Sequence, residues 1–110
     1  MVNHPPQFGT ATDQPSQQLW LLLAAIPPGR VTTYGRLAAL AGCTGHARWV
    51  GRQLAALPND SSLPWHRVVN SRGAIAARAG AKQQIERLRA ERFFLTAGRL
   101  SLNDYLWQPE

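Results

Sequence analysis

Proline and glycine divide this chain into short pieces. Pro27-Pro28-Gly29, Gly42, Gly45, Pro58 and Gly73 interrupt every apolar pattern before it can become a long helix or a long strand. The fold this permits is a set of short helices joined by tight turns. At 110 residues and 12.1 kDa there is material for one small core and too little for two. A single domain over residues 13–110 is therefore expected, with residues 1–12, rich in Pro and polar residues and without periodicity, as a loose N-terminal arm.

The periodicities fill in the helices. Asp13 or Ser16 can cap a first helix with Pro15 in its first turn, and Leu19, Leu22, Leu23 and Ile26 then share one face until Pro27 stops it. After the extended link Arg30-Val31-Thr32, Thr33 is a good N-cap for a second helix whose inner side is Tyr34, Leu37, Ala38 and Ala41. Gly42 ends that helix. Cys43-Thr44-Gly45 connects it to a third, in which Ala47, Val50, Leu54 and Leu57 lie together before Pro58. Two short helices on a short turn suggest a helix-turn-helix.

Beyond the turn cluster of residues 58–62, the segment from Leu63 to Asn70 reads as extended. Ser71-Arg72-Gly73 turns the chain, and Ala74 to Ala77 is expected to pair back as a hairpin wing. Ala81 to Arg92 reads as a helix with Ile85 and Leu88 inward and Arg87, Arg89 and Arg92 outward. Phe93, Phe94, Leu95, Leu100, Leu102, Tyr105, Leu106 and Trp107 supply the rest of the core. The fold class is mainly α with a small β hairpin, a winged helix-turn-helix.

Charge narrows the partner. The net charge is +6 and Lys82 is the single lysine, so arginine carries the excess. No acidic residue lies between Asp13 and Asp60, an interval that holds Arg30, Arg36, Arg48 and Arg52. Forked guanidinium groups suit phosphate, and the distribution favours a polyanion. No apolar run has the length of a membrane span or follows a basic start, so a soluble, cytoplasmic protein is expected. Cys43 stands alone, which rules out an internal disulfide and a thiolate-rich zinc site; no metal or cofactor is expected.

Three blocks carry a more specific signal. Ile26-Pro27-x-Gly29-x-Val31-x-Thr33-Tyr34-Gly35, Ala47-Arg48-x-Val50-Gly51 and Pro64-x-His66-Arg67-Val68-Val69 occur in that order. From Gln17 to Glu91 the chain resembles the O6-alkylguanine-DNA alkyltransferases, whose Pro-Cys-His-Arg-Val motif supplies the thiolate that accepts the alkyl group. Trp65 stands where that cysteine belongs. An indole N–H donates only and offers no nucleophile. The resemblance is closest to the alkyltransferase-like proteins, which carry this tryptophan, bind O6-alkylguanine without repairing it and mark it for nucleotide excision repair.

The resemblance implies roles residue by residue. Trp65, Pro64 and Val68 are expected at a lesion pocket with Tyr34, which presses on the backbone beside the flipped nucleotide. Arg78, thirteen residues after Trp65, is expected against the flipped guanine. Arg48 is the finger that fills the gap in the base stack. Ala47 and Gly51 keep the recognition helix slim enough for the minor groove, with Arg52 on the same DNA-binding surface. Trp49 departs from the enzymes' small residue and either stacks on the nucleic-acid backbone or turns inward. Leu57 replaces an asparagine that supports the cysteine's turn.

His66 and Glu91 match the enzymes' proton relay. Without a thiol they read better as a polar network holding the pocket segment to the last long helix. The implied partner is double-stranded DNA containing O6-alkylguanine, with repair proteins recruited to a monomer. Two alternatives stay open. One is residual alkyl transfer through Cys43, and the other is a transcription factor reading the major groove.

Overall fold

The computed structural model describes residues 14–58, 60–78 and 80–109. The arm expected over residues 1–12 and the capping candidate Asp13 lie outside the described residues. Helix α1 (Gln14–Ala25) carries Pro15 in its first turn and places Leu19, Leu23 and Ile26 in the interior. It stops before Pro27-Pro28, where Gly29 takes a positive φ of 84°. Strand β1 (Thr32–Thr33) leads into α2 (Tyr34–Leu40). Thr33 caps α2 as expected, its hydroxyl accepting from the Arg36 N–H at 3.1 Å. Gly42 and Gly45, both at positive φ, bend the chain into α3 (Ala47–Ala55). Helices α2 and α3 pack on one another and on α1 through Leu37, Ala38, Val50 and Leu54.

Trp65–Arg67 forms a single 3₁₀ turn, followed by β2 (Val68–Val69), α4 (Ala81–Ala90) and the short α5 (Leu102–Tyr105). The expected wing is not built as a hairpin ladder. β2 instead pairs in parallel with β1, Thr32 opposite Val68 and Thr33 opposite Val69. Ala74 bridges to Arg99, and the Asn70–Ala74 loop closes through two backbone hydrogen bonds, Asn70 N–H to the Ala74 carbonyl at 3.1 Å and Gly73 N–H to that of Asn70 at 2.9 Å. The reason is burial: Val68 and Val69 are both fully enclosed, so their segment needs a partner inside the molecule rather than beside a surface turn.

This small sheet is the seam between two apolar clusters. Val68 packs with α1, α2 and α3, while Val69 points the other way into Val31, Leu88, Phe93 and Leu100. Alternation along a strand makes this possible with only two residues. Phe94, expected in the core, is three-quarters exposed, because the chain turns at Arg92 (φ 73°) and buries Phe93 in its place. The C-terminal segment closes by turn and short helix, with Val31 N–H donating to the Tyr105 carbonyl and Trp107 N–H to that of Val31.

Gly73 is required by two constraints at once. Its φ is +77°, and a Cβ there would lie 2.3 Å from the carbonyl oxygen of Leu100. Gly73→Ala is expected to destabilise the protein by about 3 kcal/mol, combining backbone strain with a backbone clash. Urea unfolding of the variant beside wild type measures this, and an unchanged midpoint contradicts it.

Candidate nucleic-acid interface and lesion pocket

The surface formed by α2 and α3 gathers most of the residues expected to meet DNA. Tyr34, Ala47, Arg48, Gly51, Arg52 and Arg78 line one open groove of about 550 Å³. Helical spacing is the cause: residues 47, 48, 51 and 52 fall one turn apart on the same side of α3, opposite buried Val50 and Leu54. A Cβ on Gly51 would meet nothing within 4 Å, so the interior does not require a glycine there. Its smallness keeps the outer face of α3 open.

Trp49 is not on this face. It is 3% exposed and belongs to the α1–α3 core, which settles between the two alternatives for it. An indole two positions before Gly51 rotates to the inner side of the helix, where its area is removed from water.

A smaller cavity of about 190 Å³ adjoins the groove. Trp65, Leu54, Ala55, Leu57, Pro58, Arg78 and Gly80 line it. Ala55 and Arg78 border both spaces. Trp65 is 7% exposed, and the Arg87 guanidinium lies 5.2 Å from the centre of its ring. The His66 ring meets it edge-on at 6.2 Å. Arg87 was expected to point outward; it is half-buried because its guanidinium finds the indole face, a favourable use of a long cationic side chain.

Tyr34, Val68 and Pro64, expected at the pocket, are absent from the residues that line this cavity, Tyr34 lying in the groove instead. Val68 is fully enclosed in the core through its pairing with Thr32, and Pro64 sets the entry to the Trp65 turn. Cys43 is 3% exposed within the α1–α3 core and lines neither space. Among the described residues no group of three or more His, Cys, Asp or Glu side chains is placed to hold a metal ion, and no helix is long and apolar enough to cross a membrane.

Behind the pocket lies a polar network centred on Glu91. Its carboxylate accepts from Arg67 Nη2 at 2.7 Å, from Arg67 Nε at 3.0 Å, from the Gly29 N–H at 3.2 Å and from His66 Nε2 at 2.5 Å. Arg67 Nη1 also donates to the Ile26 carbonyl at 2.8 Å. Burial alone would raise the Glu91 carboxyl, but the bonds from Arg67, His66 and Gly29 outweigh it and hold the group down to about 2. Burial pushes His66 below its ordinary 6.5, against the pull of Glu91. His66 is thus neutral at neutral pH, with its proton on Nε2 facing Glu91. Its buried Nδ1 has no hydrogen-bond partner among the described residues.

Sequence reasoning foresaw the His66–Glu91 pairing and missed Arg67, which contributes most of the hydrogen bonds. It also missed Gln84, fully buried on α4. The available signal was position: Gln84 lies four residues before Leu88, on the inward side of the same helix.

The family described as "6-O-methylguanine DNA methyltransferase, DNA binding domain" matches residues 14–93, and the chain belongs to it. Within that family it stands with the base-flipping and alkyltransferase-like members. A DNA base-flipping protein of Vibrio parahaemolyticus is 41% identical over 99 residues, covering 88% of this chain and 99% of the relative. Alkyltransferase-like protein 1 of Schizosaccharomyces pombe is 40% identical over 92 residues, 76% of this chain and 85% of its own. A crystal structure of the S. pombe protein with damaged DNA containing O6-carboxymethylguanine superposes with a TM-score of 0.81 at 35% identity, covering 91% of this chain and all of that one.

The network makes stability acid-sensitive. Both folded values are depressed, so the stabilisation is complete above pH 6.5. It declines first as His66 takes up a proton below 6.5, then between 4.5 and about 2 as Glu91 is protonated. Glu91 accounts for a loss on the order of 2 kcal/mol, since its side chain is only 18% exposed. Urea unfolding at pH 7, 5 and 3 is expected to show this decline, with a smaller step below pH 5 in Glu91→Gln. An equal step in both proteins contradicts the assignment.

Proposed function

We propose that this chain is a sensor of alkylated DNA: it docks on duplex DNA through the α2–α3 face, draws O6-alkylguanine past Arg78 to the cavity beside Trp65, and holds it without alkyl transfer. The observation that carries this reading is Trp65 itself, an enclosed indole forming the wall of a cavity that shares Ala55 and Arg78 with an arginine-lined groove. Reaction chemistry needs a nucleophile at that wall, and an indole supplies none. The relatives' names, and the damaged DNA bound by the S. pombe protein, support the same substrate class.

The groove residues divide the work. Arg48, exposed on α3, is the finger that enters the base stack, because a planar cation can replace a base between its neighbours. Tyr34 presses on the backbone at the rim of the groove. Ala47 and Gly51 let α3 approach, and Arg52 adds phosphate affinity. Arg78 meets the flipped guanine by a cation-π contact and hydrogen bonding near O6. His66 and Glu91 hold the Trp65 turn in place. The bound complex then marks the lesion for nucleotide excision repair.

The first test is chemical. After incubation with O6-methylguanine DNA, the protein is expected to keep its mass and the oligonucleotide its lesion; a protein heavier by one methylene on mass spectrometry overturns the sensor reading in favour of transfer through Cys43.

The second test separates the arginines. Arg78→Ala is expected to cost roughly 1–2 kcal/mol on lesion DNA and almost nothing on undamaged duplex, the scale of a desolvated cation-π contact. Arg48→Ala is expected to reduce unstacking of a fluorescent base analogue in both. Stronger binding to an undamaged sequence than to any lesion would favour a transcription factor instead.

A further inference from the structure

Gln84 is the only glutamine on the buried side of α4, and each of its amide atoms is committed. Nε2 donates to the Val68 carbonyl at 2.8 Å and to the His66 carbonyl at 3.1 Å. With both protons directed at those carbonyls, Oε1 faces the opposite way, where it accepts from Arg78 Nη2 at 3.2 Å. Flipping the amide would set an oxygen against two carbonyl oxygens and an NH2 against a guanidinium, so a single orientation is allowed.

Arg78 is otherwise a long, exposed side chain on a loop. Among the described residues, Nη2 also reaches the Tyr34 hydroxyl at 3.5 Å, and Nη1 occupies space that Gly80 leaves free, where a Cβ would come within 3.3 Å. A free arginine of this length loses considerable rotamer freedom when a ligand immobilises it. One already tethered to a buried amide loses much less. The tether also joins two parts of the pocket, because the carbonyls that Gln84 holds belong to the Trp65 turn and the strand after it.

We infer that Gln84 is the positioning residue of the pocket: it fixes the guanidinium of Arg78 relative to the Trp65 wall before DNA arrives, and the discrimination that Arg78 provides depends on it. This rests on the reading that Arg78 contacts the flipped guanine. Gln84 itself touches no DNA.

The experiment is a double-mutant cycle read on matched lesion and undamaged duplexes with Gln84→Met, Arg78→Ala and the pair. Gln84→Met keeps the side chain's length and removes all three hydrogen bonds. Affinity for O6-methylguanine DNA is expected to fall about tenfold, the scale of one hydrogen bond to a charged group, with undamaged duplex changed by less than about twofold. In the Arg78→Ala background the same substitution is expected to have no further lesion-specific effect.

Equal losses on both duplexes, a loss that persists without Arg78, or tighter lesion binding by Gln84→Met each overturn the inference while leaving Arg78's own role intact. If Arg78→Ala leaves discrimination unchanged, the reading of Arg78 fails and the inference with it. A second measurement needs no substitution in α4. In wild-type protein, guanidinium rotation followed by nitrogen-15 NMR is expected to be slower for Arg78 than for exposed Arg72, and equal rates overturn the tether.

Discussion

One carboxylate holds the pocket side of this molecule together. Glu91, at the end of α4, accepts hydrogen bonds from the Gly29 N–H and from the side chains of His66 and Arg67, and Arg67 continues to the carbonyl of Ile26. The end of α1, the Trp65 turn and the end of α4 are thereby fixed to one another across long stretches of sequence. A half-buried ion of this kind is stable only because every lone pair is used; loss of one partner leaves a charge that the remaining ones must carry. These hydrogen bonds brace the three segments against one another.

The brace matters because the segment it secures is too short to secure itself. β1 and β2 contribute two residues each, and an isolated pair of that size is unstable in water. Burial supplies the rest: Val68 and Val69 face opposite clusters and weld the two halves of the core. The 3₁₀ turn before them presents Trp65 at the edge of this seam, where Arg87 from α4 covers its ring. Trp65 is consequently a wall fixed from behind, and not a mobile flap.

The local features were legible in the sequence because they are governed by neighbours along the chain. Helix α1 ended at Pro27-Pro28, Thr33 capped α2, and Gly42 closed it, each from a rule that spans only a few residues. The expected hairpin failed for the complementary reason. Nothing local distinguishes a strand that pairs with the next segment from one that pairs in parallel with residues some 36 positions earlier. Trp49 and Arg87 show the limit on helices: Trp49 could occupy either side of α3 by periodicity, and an arginine's long stem lets its head reach an indole that a polar-out rule ignores. The gathering of Tyr34, Arg48, Gly51 and Arg52 on one face was legible, since helical spacing alone brings the last three together. The roles of Arg67 and Gln84 were not, because hydrogen bonds to distant carbonyls and carboxylates leave no periodic trace.

A sensor of the kind proposed, which does no chemistry, must still offset the cost of extruding a base. That cost is a few kcal/mol, less for a weakly paired damaged guanine, and contact with one aromatic ring returns about 1–3 kcal/mol. The terms nearly cancel, so discrimination depends on small differences at the residues that groove and cavity share. Rigidity is the available lever. A wall fixed by Arg87 and the Glu91 brace loses little freedom on binding, and an arginine already bonded to Gln84 gives a larger share of its contact energy to the complex. An enzyme that consumes its nucleophile needs the base in place only long enough for one transfer. A sensor of the kind proposed needs it to stay, and the buried hydrogen bonds of Glu91 and Gln84 hold the Trp65 turn and Arg78 in one arrangement.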